Sequence, residues 1–100
     1  LWVVLALTRF QMNDFRGALE AIDTAQRLEP GNRALDGTRI DVHLKLGRLD
    51  DALAAAEAAA GHQPQSPLAH LGRARTLRTM RRFGDAAAAA RRALEIDPEN

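Results

Sequence analysis

The strongest constraint on how this chain folds is a repeat with a period of 34 residues. Pro30, Pro64 and Pro98 are separated by that spacing, and no gap interrupts it. A fixed period of this length is typical of proteins built from tandem copies of one small unit, each of which needs its neighbours to bury its apolar side. The same spacing relates four further columns, namely Met12, Leu46 and Met80; Phe15, Leu49 and Phe83; Ala18, Ala52 and Ala86; and Ala25, Ala59 and Ala93.

Local residue choice predicts that each unit consists of two helices. Ala, Leu, Arg and Glu are plentiful and aromatic residues make up only 4% of the chain, a balance that favours helix over strand. The two alanine columns lie seven residues apart, so they share one stripe on which a neighbouring helix can approach closely. Asn13 and Gly47 fall where a first helix should end and the chain should turn. Proline closes each second helix, because its ring excludes the preceding residue from the helical region.

These features resemble the tetratricopeptide repeat, a helix-turn-helix unit of the same length. The resemblance covers the whole chain and implies an all-α fold, a right-handed αα superhelix (solenoid) of three helix-turn-helix repeats with six antiparallel helices. The units span 1–32, which lacks its first two positions, 33–66 and 67–100. The Trp, Leu, Gly, aromatic, Ala, Ala and Pro places of the family pattern hold Trp2, Leu5, Ala6, Phe15, Ala18, Ala25 and Pro30. The predicted helices span 1–12, 15–28, 33–46, 49–61, 67–80 and 83–96.

The first helices of units 2 and 3 depart from that pattern. The second-helix columns stay intact, so the departures concern the packing of the first helices and not the existence of the units. The Trp, Leu and Gly places hold Asp36, Arg39 and Ile40 in unit 2 and His70, Arg73 and Ala74 in unit 3.

The chain opens with the apolar stretch LWVVLAL, which is predicted to form the first helix of unit 1. The stretch ends at Thr8, short of the roughly 20 apolar residues of a membrane span, so no membrane segment is predicted here. A terminal repeat normally carries a polar outer face. We therefore expect an upstream repeat or helix, or a partner, to cover this stretch. The absence of an initiator Met, and of a capping helix after Asn100, predicts a piece of a longer protein.

The sequence contains no arrangement of side chains that indicates catalysis or metal binding. The chain has no Cys, and its three histidines have no histidine partner at helical spacing. His43 and His70 are expected to fill positions between helices. Asp50 and Asp51 diverge on a helix, and their expected role is to place negative charge at the start of a second helix. With no phosphate loop or nucleophile motif present, we predict a segment that is not an enzyme and takes no cofactor and no metal.

The resemblance also implies a ligand-binding surface, because in this family the first helix of each unit lines a concave face. Offsets of three, four and seven residues keep the members of a stripe on one side of a helix. The predicted surface is apolar at its N-terminal end and basic at its C-terminal end, which suits a protein or peptide with an apolar and an acidic portion. The predicted peptide-binding residues are Val3, Leu7, Phe10 and Gln11; Asp41, Leu44 and Lys45, beside Gly37; and Leu71, Arg75, Arg78 and Thr79.

Two other interpretations of these residues stay open. Val3, Leu7 and Phe10 also suit contact with an upstream helix, and the arginines of unit 3 also suit a solvated face. A nucleic-acid partner is not predicted, because no aromatic residue is interleaved with those arginines and the net charge is only +1.

The predicted function is that of a non-enzymatic protein–protein interaction scaffold or adaptor segment. One alternative is the regulatory or substrate-presenting arm of a larger enzyme, and another is self-association head to tail through uncapped repeat ends. Some family members grip the C-terminal carboxylate of chaperone peptides with Lys, Asn and Arg side chains. A co-chaperone role of that kind is disfavoured here, because the matching places hold Val3, Leu7, Thr38, Leu68 and Gly72.

Overall fold

The computed structural model describes residues 1–98 of the chain. Those residues form six helices and no strand, which confirms the all-α, right-handed superhelix of helix-turn-helix units. The last two positions predicted for unit 3 lie outside the described residues. The helices are α1 (Trp2–Gln11), α2 (Phe15–Leu28), α3 (Asp36–Lys45), α4 (Leu49–His62), α5 (Pro67–Thr79) and α6 (Phe83–Ile96).

Each unit turns between its two helices at a residue with left-handed backbone geometry, and this residue occupies the same repeat column every time. The φ angles are 63° at Asn13, 73° at Gly47 and 62° at Arg81. In unit 1 the amide of Asp14 donates to the carbonyl of Arg9 over 2.8 Å, and the other two turns repeat this bond. Such bonds satisfy terminal carbonyls that have no partner inside the helix. The predicted turns at Asn13 and Gly47 are confirmed.

Both ends of the second helices follow from local sequence. Asp14 caps α2, because its carboxylate accepts a hydrogen bond from the Gly17 amide over 3.1 Å. At the other end, Glu29, Gln63 and Asp97 have φ angles of −135°, −131° and −136°. These extended values are typical of a residue that precedes proline. The repeated proline therefore closes each second helix, as predicted.

The third helix starts later than the predicted position 33. It begins at Asp36, because the preceding segment folds into a turn in which the Asn32 side chain accepts a hydrogen bond from the Ala34 amide over 2.9 Å. The corresponding segment of unit 3 contains Ser66, which caps α5, and Pro67, which suits the first helical position. That unit therefore starts its helix where the repeat predicts.

The helices pack so that one row lies on the inside of a curve. α1 contacts α3 and α3 contacts α5, whereas α2, α4 and α6 make no contact with one another within residues 1–98. Each second helix packs on the first helix of its own unit, and α2 and α4 also contact the first helix of the next unit. The first helices are therefore closer to one another than the second helices are, and the superhelix curves with the first helices on its inner side. The concave surface is therefore lined by α1, α3 and α5.

Two clusters of buried side chains differ in composition. The alanine columns contribute to both, which agrees with their predicted role in close helix approach. The first cluster joins units 1 and 2 and contains Ala6, Ala18, Ala21, Ile22, Leu35 and Val42. The second lies in unit 3 and contains Ala74, Leu77, Ala86 and Ala89, with Leu53 and Ala90 at its border.

Candidate peptide-binding surface

The predicted residues of α1 lie in two different environments. Leu7 and Gln11 are exposed. Val3 and Phe10 are half-buried, because they pack against the cluster between units 1 and 2. The Phe10 ring also meets the Phe15 ring edge to face, with the ring centroids 5.7 Å apart. Of the three apolar side chains predicted on α1, Leu7 is therefore the most accessible to a ligand.

An ion pair connects the predicted residues of α3 and α5. The Arg75 guanidinium lies 2.9 Å from the Asp41 carboxylate, and both side chains are partly exposed. This pair neutralises part of the positive charge that the sequence places at the C-terminal end of the surface. Leu44 is half-buried and Lys45 is exposed, and Lys45 has no ion pair within the described residues.

The remaining predicted residues of α5 differ in how far their polar groups are engaged. Leu71 is half-buried, whereas Arg78 and Thr79 are exposed. The Thr79 hydroxyl donates to the Arg75 carbonyl over 3.0 Å, so its own helix occupies it. The Arg78 guanidinium makes no ion pair within residues 1–98. Lys45 and Arg78 are thus the predicted cations whose charge no described carboxylate neutralises.

A pocket of about 340 Å³ opens between α3, α5 and the end of α4, beside Gly37 and Arg75. Its walls include the apolar side chains of Ile40 and Leu68. A Cβ atom at Gly37 would meet nothing within 4 Å, so the missing side chain leaves this opening clear. Gly72 has a different role, because a Cβ atom there would lie 3.1 Å from Ile40 Cδ1. Gly72 therefore allows α5 to approach α3 closely.

The polar residues that depart from the family pattern in unit 2 have polar partners. Asp36 is buried, and its carboxylate accepts hydrogen bonds from the Arg33 guanidinium over 2.8 and 2.9 Å. The Arg39 guanidinium donates to Asp23 over 2.6 Å and to Gln26 over 2.7 Å, both on α2. A buried charge without such partners would be strongly destabilising. The apolar packing of the family pattern is here replaced by a hydrogen-bonded network.

Unit 3 repeats this arrangement with different residues. The Arg73 guanidinium donates to the Glu57 carboxylate of α4 over 2.9 Å. His70 is buried, and its Nε2 atom lies 2.8 Å from the Pro64 carbonyl oxygen. The two arginine pairs have the same separation of 16 residues. That repeated separation between Arg and an acidic residue is the sequence signal that could have found them.

His43 is half-buried, and its Nδ1 atom is buried without a hydrogen-bond partner among the described residues. Burial lowers the pKa of His43 below its ordinary value. Among residues 1–98, no group of three or more His, Asp or Glu side chains is placed to hold a metal ion. Over the same range, each helix is too short or too polar to cross a membrane.

A second, larger cleft of about 650 Å³ lies along the groove between α5 and α6, which pack against each other. The stripe of first-helix residues does not predict it, because α6 supplies one of its walls. The signal lies in the repeat columns, since Ala87 and Ala90 stand where unit 1 has Leu19 and Ile22. Apart from Arg75 and Arg78, the cleft is apolar, and it is lined by Leu68, Leu71, Gly72, Ala74, Phe83, Ala86, Ala87 and Ala90.

These features define a helical repeat protein whose inner helices line a concave surface. The sequence profile of the tetratricopeptide repeat matches residues 38–100, and the chain belongs to the tetratricopeptide repeat family. The protein called STIP1 homolog, from Dictyostelium discoideum, is 32% identical to this chain over 91 residues. That match covers 91% of this chain but only 16% of the relative.

Two solved structures share the fold. The first TPR of Spaghetti (RPAP3), bound to the HSP90 peptide SRMEEVD, superposes with a TM-score of 0.86 at 19% identity. This superposition covers 99% of the present chain and 81% of that one. The Arabidopsis OM64 TPR domain superposes with a TM-score of 0.85 at 22% identity, over 96% of this chain and 79% of that one. At these identities the likeness establishes the arrangement of the helices.

Proposed function

We propose that this chain is a non-enzymatic scaffold or adaptor segment that binds a partner peptide or helix along its concave surface. The inner row formed by α1, α3 and α5 carries this proposal, because it can present one stripe from each unit to the same ligand. Curved repeat proteins use extended concave surfaces of this kind for binding.

The proposed ligand has an apolar portion and an acidic portion. Leu7 supplies an exposed apolar side chain, and the pocket beside Gly37 has room for an apolar side chain of the ligand. Lys45 and Arg78 supply positive charge that no described carboxylate neutralises. Arg75 has a smaller role in this proposal, because Asp41 already holds its guanidinium.

One similar structure supports a peptide as the class of ligand, since the first TPR of Spaghetti is bound to an HSP90 peptide. We do not extend carboxylate recognition to this chain. Leu68 is exposed but carries no charge, and Gly72 is buried against Ile40. The contacts we propose are therefore made to the side chains of the ligand and not to its C terminus.

The charge part of the proposal is tested with a fluorescent synthetic peptide that has a leucine-rich half and a glutamate-rich half. Arg78→Glu replaces attraction by repulsion, so the dissociation constant measured by anisotropy should rise by about tenfold or more. Added salt should weaken wild-type binding in the same direction. Arg16→Glu makes the same charge change on the exposed face of α2 and serves as the control. Equal affinities for the two variants would contradict the proposal.

The pocket is tested by filling it. Gly37→Leu places a side chain where a Cβ atom meets nothing within 4 Å, so it should block the pocket and leave the fold intact. Binding of the same peptide should weaken by at least about tenfold. Gly84→Leu, at the start of α6, adds the same side chain at another open helical glycine and should bind like the wild type. Undiminished binding by Gly37→Leu would exclude the pocket from the site.

Amidation of the ligand separates side-chain contacts from carboxylate recognition. The peptide SRMEEVD and the synthetic peptide are each prepared with a free and with an amidated C terminus. We expect amidation to change neither affinity by more than about twofold. A large loss on amidation would show that the C terminus is gripped after all.

A further inference from the structure

The pocket of about 340 Å³ beside Gly37 lies between units 2 and 3, so described residues form both of its sides. We call it the Gly37 pocket. Besides apolar residues, its lining includes Gln63 and Ser66, the first and last residues of the segment 63–66 that connects α4 to α5. The conformation of this connecting segment therefore influences the shape of the pocket.

The connecting segment has few contacts of its own to hold it in place. Gln63, Pro64 and Gln65 are exposed, and Pro64 has no amide hydrogen to donate. The Ser66 amide donates to the Gln63 carbonyl over 3.0 Å, which closes a turn. Exposed turns with few contacts open easily. A bond from a buried residue would therefore restrict this turn to one conformation.

His70 of α5 supplies such a bond. Its Nε2 atom lies 2.8 Å from the carbonyl oxygen of Pro64, six residues earlier in the chain. A carbonyl oxygen can only accept, so Nε2 carries the hydrogen and Nδ1 is unprotonated in the neutral ring. The residue is 8% exposed, and Nδ1 is buried with no hydrogen-bond partner among residues 1–98. Over that range, the bond to Pro64 is therefore the hydrogen bond that this buried ring makes.

The same repeat column has the same task in unit 2, with different chemistry. Asp36, which shares the column of His70, accepts hydrogen bonds from Arg33 over 2.8 and 2.9 Å. The Arg33 guanidinium in turn donates to the Pro30 carbonyl over 3.4 Å. Pro30 and Pro64 also share one column. In both units, a buried polar residue at the Trp place of the family pattern thus engages the carbonyl of the preceding proline, directly in unit 3 and through Arg33 in unit 2.

In unit 3 this bond acts on the pocket from outside. His70 is not among the residues that line the Gly37 pocket, so it does not contact a ligand there. It bonds to Pro64, which lies in the chain between the two lining residues Gln63 and Ser66. His70 is therefore placed to control the pocket through one of its walls.

We propose that His70 is a positioning residue of the Gly37 pocket, because its hydrogen bond to Pro64 fixes the wall formed by the connecting segment and fits the pocket to an apolar side chain of one size. This inference rests on the proposed function, in which the pocket receives an apolar side chain of the ligand. A pocket with fixed walls favours the side chain that fills it, because voids and overpacking both cost contact energy. A pocket with a loose wall adapts to side chains of several sizes.

Three substitutions of His70 separate its hydrogen bond from its bulk. His70→Leu keeps a buried side chain of similar size and removes the donor. His70→Gln places an amide nitrogen as many bonds from Cα as Nε2 is, so it should restore the bond. His70→Asn carries the same amide but ends one bond short. His62→Leu removes an exposed histidine outside the lining of the pocket and is the matched control.

The bond is tested first without a ligand, by NMR of the labelled chain. In the neutral ring of the wild type, the imidazole nitrogen shifts should show the hydrogen on Nε2. The Ser66 amide hydrogen should exchange at least about tenfold faster in His70→Leu and His70→Asn, because the turn opens more often. His70→Gln and His62→Leu should exchange like the wild type. A hydrogen on Nδ1, or unchanged exchange in His70→Leu, would overturn the proposal.

Circular dichroism should show unchanged helix content in all four variants. Should His70→Leu lose helix content, the comparison of His70→Asn with His70→Gln carries the test, since both bear the same amide. Equal exchange of the Ser66 amide in these two variants would then overturn the proposal.

Selectivity is tested with the peptide of leucine-rich and glutamate-rich halves and with a version in which alanine replaces every leucine. The wild type should bind the alanine peptide more weakly, and the ratio of the two dissociation constants should be at least about fivefold smaller in His70→Leu. The salt dependence of binding should stay the same, because Lys45 and Arg78 do not line this pocket. A variant that is merely destabilised would lose that part of the binding as well. His70→Gln and His62→Leu should keep the wild-type ratio.

The outcomes separate this inference from the proposed function. An unchanged ratio in His70→Leu, with a wild type that binds the leucine peptide, would overturn the role of His70 and leave peptide binding standing. A wild type that binds neither peptide would overturn the proposed function and the selectivity with it.

Discussion

Units 1 and 3 share a backbone plan but fill their interiors with side chains of different size. The cluster around unit 1 contains Ile22, Leu35 and Val42, with Phe10 and Phe15 packed against it. The cluster of unit 3 contains Leu77 as its one large buried side chain, and the rest of its buried members are alanines. Both arrangements keep the same turn and the same helix ends.

The difference shows how one repeat tolerates two modes of packing. Large side chains exclude water by filling the space between helices, whereas alanines exclude it by letting the helices approach. Truncation of a buried side chain should therefore lower the free energy of unfolding more in the cluster around unit 1 than in the cluster of unit 3. Enlargement of an alanine should be costly where the alanine is fully buried between helices. It should be less costly where the alanine borders the cleft between α5 and α6.

The largest expected effect is that of Ile22→Ala in the filled cluster. Ile22 is fully buried, so its truncation should leave a cavity and lower the free energy of unfolding by about 2–5 kcal/mol. Chemical denaturation followed by circular dichroism measures the change. Ala56 and Ala90 occupy the same column in units 2 and 3. A loss below about 1 kcal/mol would therefore mean that unit 1 can also adopt the alanine mode of packing.

The next largest effect is that of enlarging the alanine column formed by Ala18, Ala52 and Ala86. Ala18→Leu and Ala52→Leu enlarge fully buried positions, so each should cost about 1–3 kcal/mol through overpacking. Ala86→Leu should cost less, because Ala86 borders the cleft between α5 and α6. Thermal unfolding of the three variants gives the ranking. Equal costs at all three positions would contradict the distinction between closed and open packing.

A smaller effect compares the turns of the units. Arg81 adopts a φ angle of 62° without the freedom that glycine has at Gly47. Arg81→Gly should therefore stabilise the chain by about 0.5–1 kcal/mol, the strain relieved less the extra entropy of the unfolded glycine. Asn13→Gly should gain less, because Asn tolerates left-handed geometry. A destabilised Arg81→Gly variant would argue against strain at this turn.

The smallest effect concerns pH and His43. Burial lowers the pKa of His43, so the unfolded chain binds a proton more readily than the folded chain. This contribution to stability is complete above the ordinary histidine pKa and is lost as the pH falls below it. Unit 3 has Leu77 in the repeat column of His43. His43→Leu should therefore be tolerated, and it should reduce the difference in the free energy of unfolding between about pH 8 and about pH 5. A difference that is unchanged in His43→Leu would contradict a contribution from this histidine.

The sequence predicts most of the fold because the signals that decide it are local. Left-handed turns, prolines and helix-forming residues recur at one spacing, and each acts within a few residues of its own position. The start of α3 was not predicted correctly, because the Asn32 side chain accepts a hydrogen bond from the Ala34 amide and holds this segment in a turn instead of a helix. That choice depends on a side-chain conformation and not on the repeat pattern.

The candidate surface is less predictable, because it depends on contacts between units. The register alone does not show that Val3 and Phe10 are half-buried in a cluster that α3 completes. The sequence likewise does not show that the Arg75 guanidinium is paired, because that ion pair depends on the position of Asp41 in the neighbouring unit. Only the relative placement of the helices fixes which stripe residues remain available to a ligand.

The most direct test of peptide binding on the concave surface is an NMR titration of the labelled chain with the peptide of leucine-rich and glutamate-rich halves. We expect amide shift changes to concentrate on α1, α3 and α5, around Leu7, Gly37, Lys45 and Arg78. The outer helices α2, α4 and α6 should change little. Shift changes that concentrate on the outer helices, or that are absent at the highest peptide concentration, would contradict peptide binding on the concave surface.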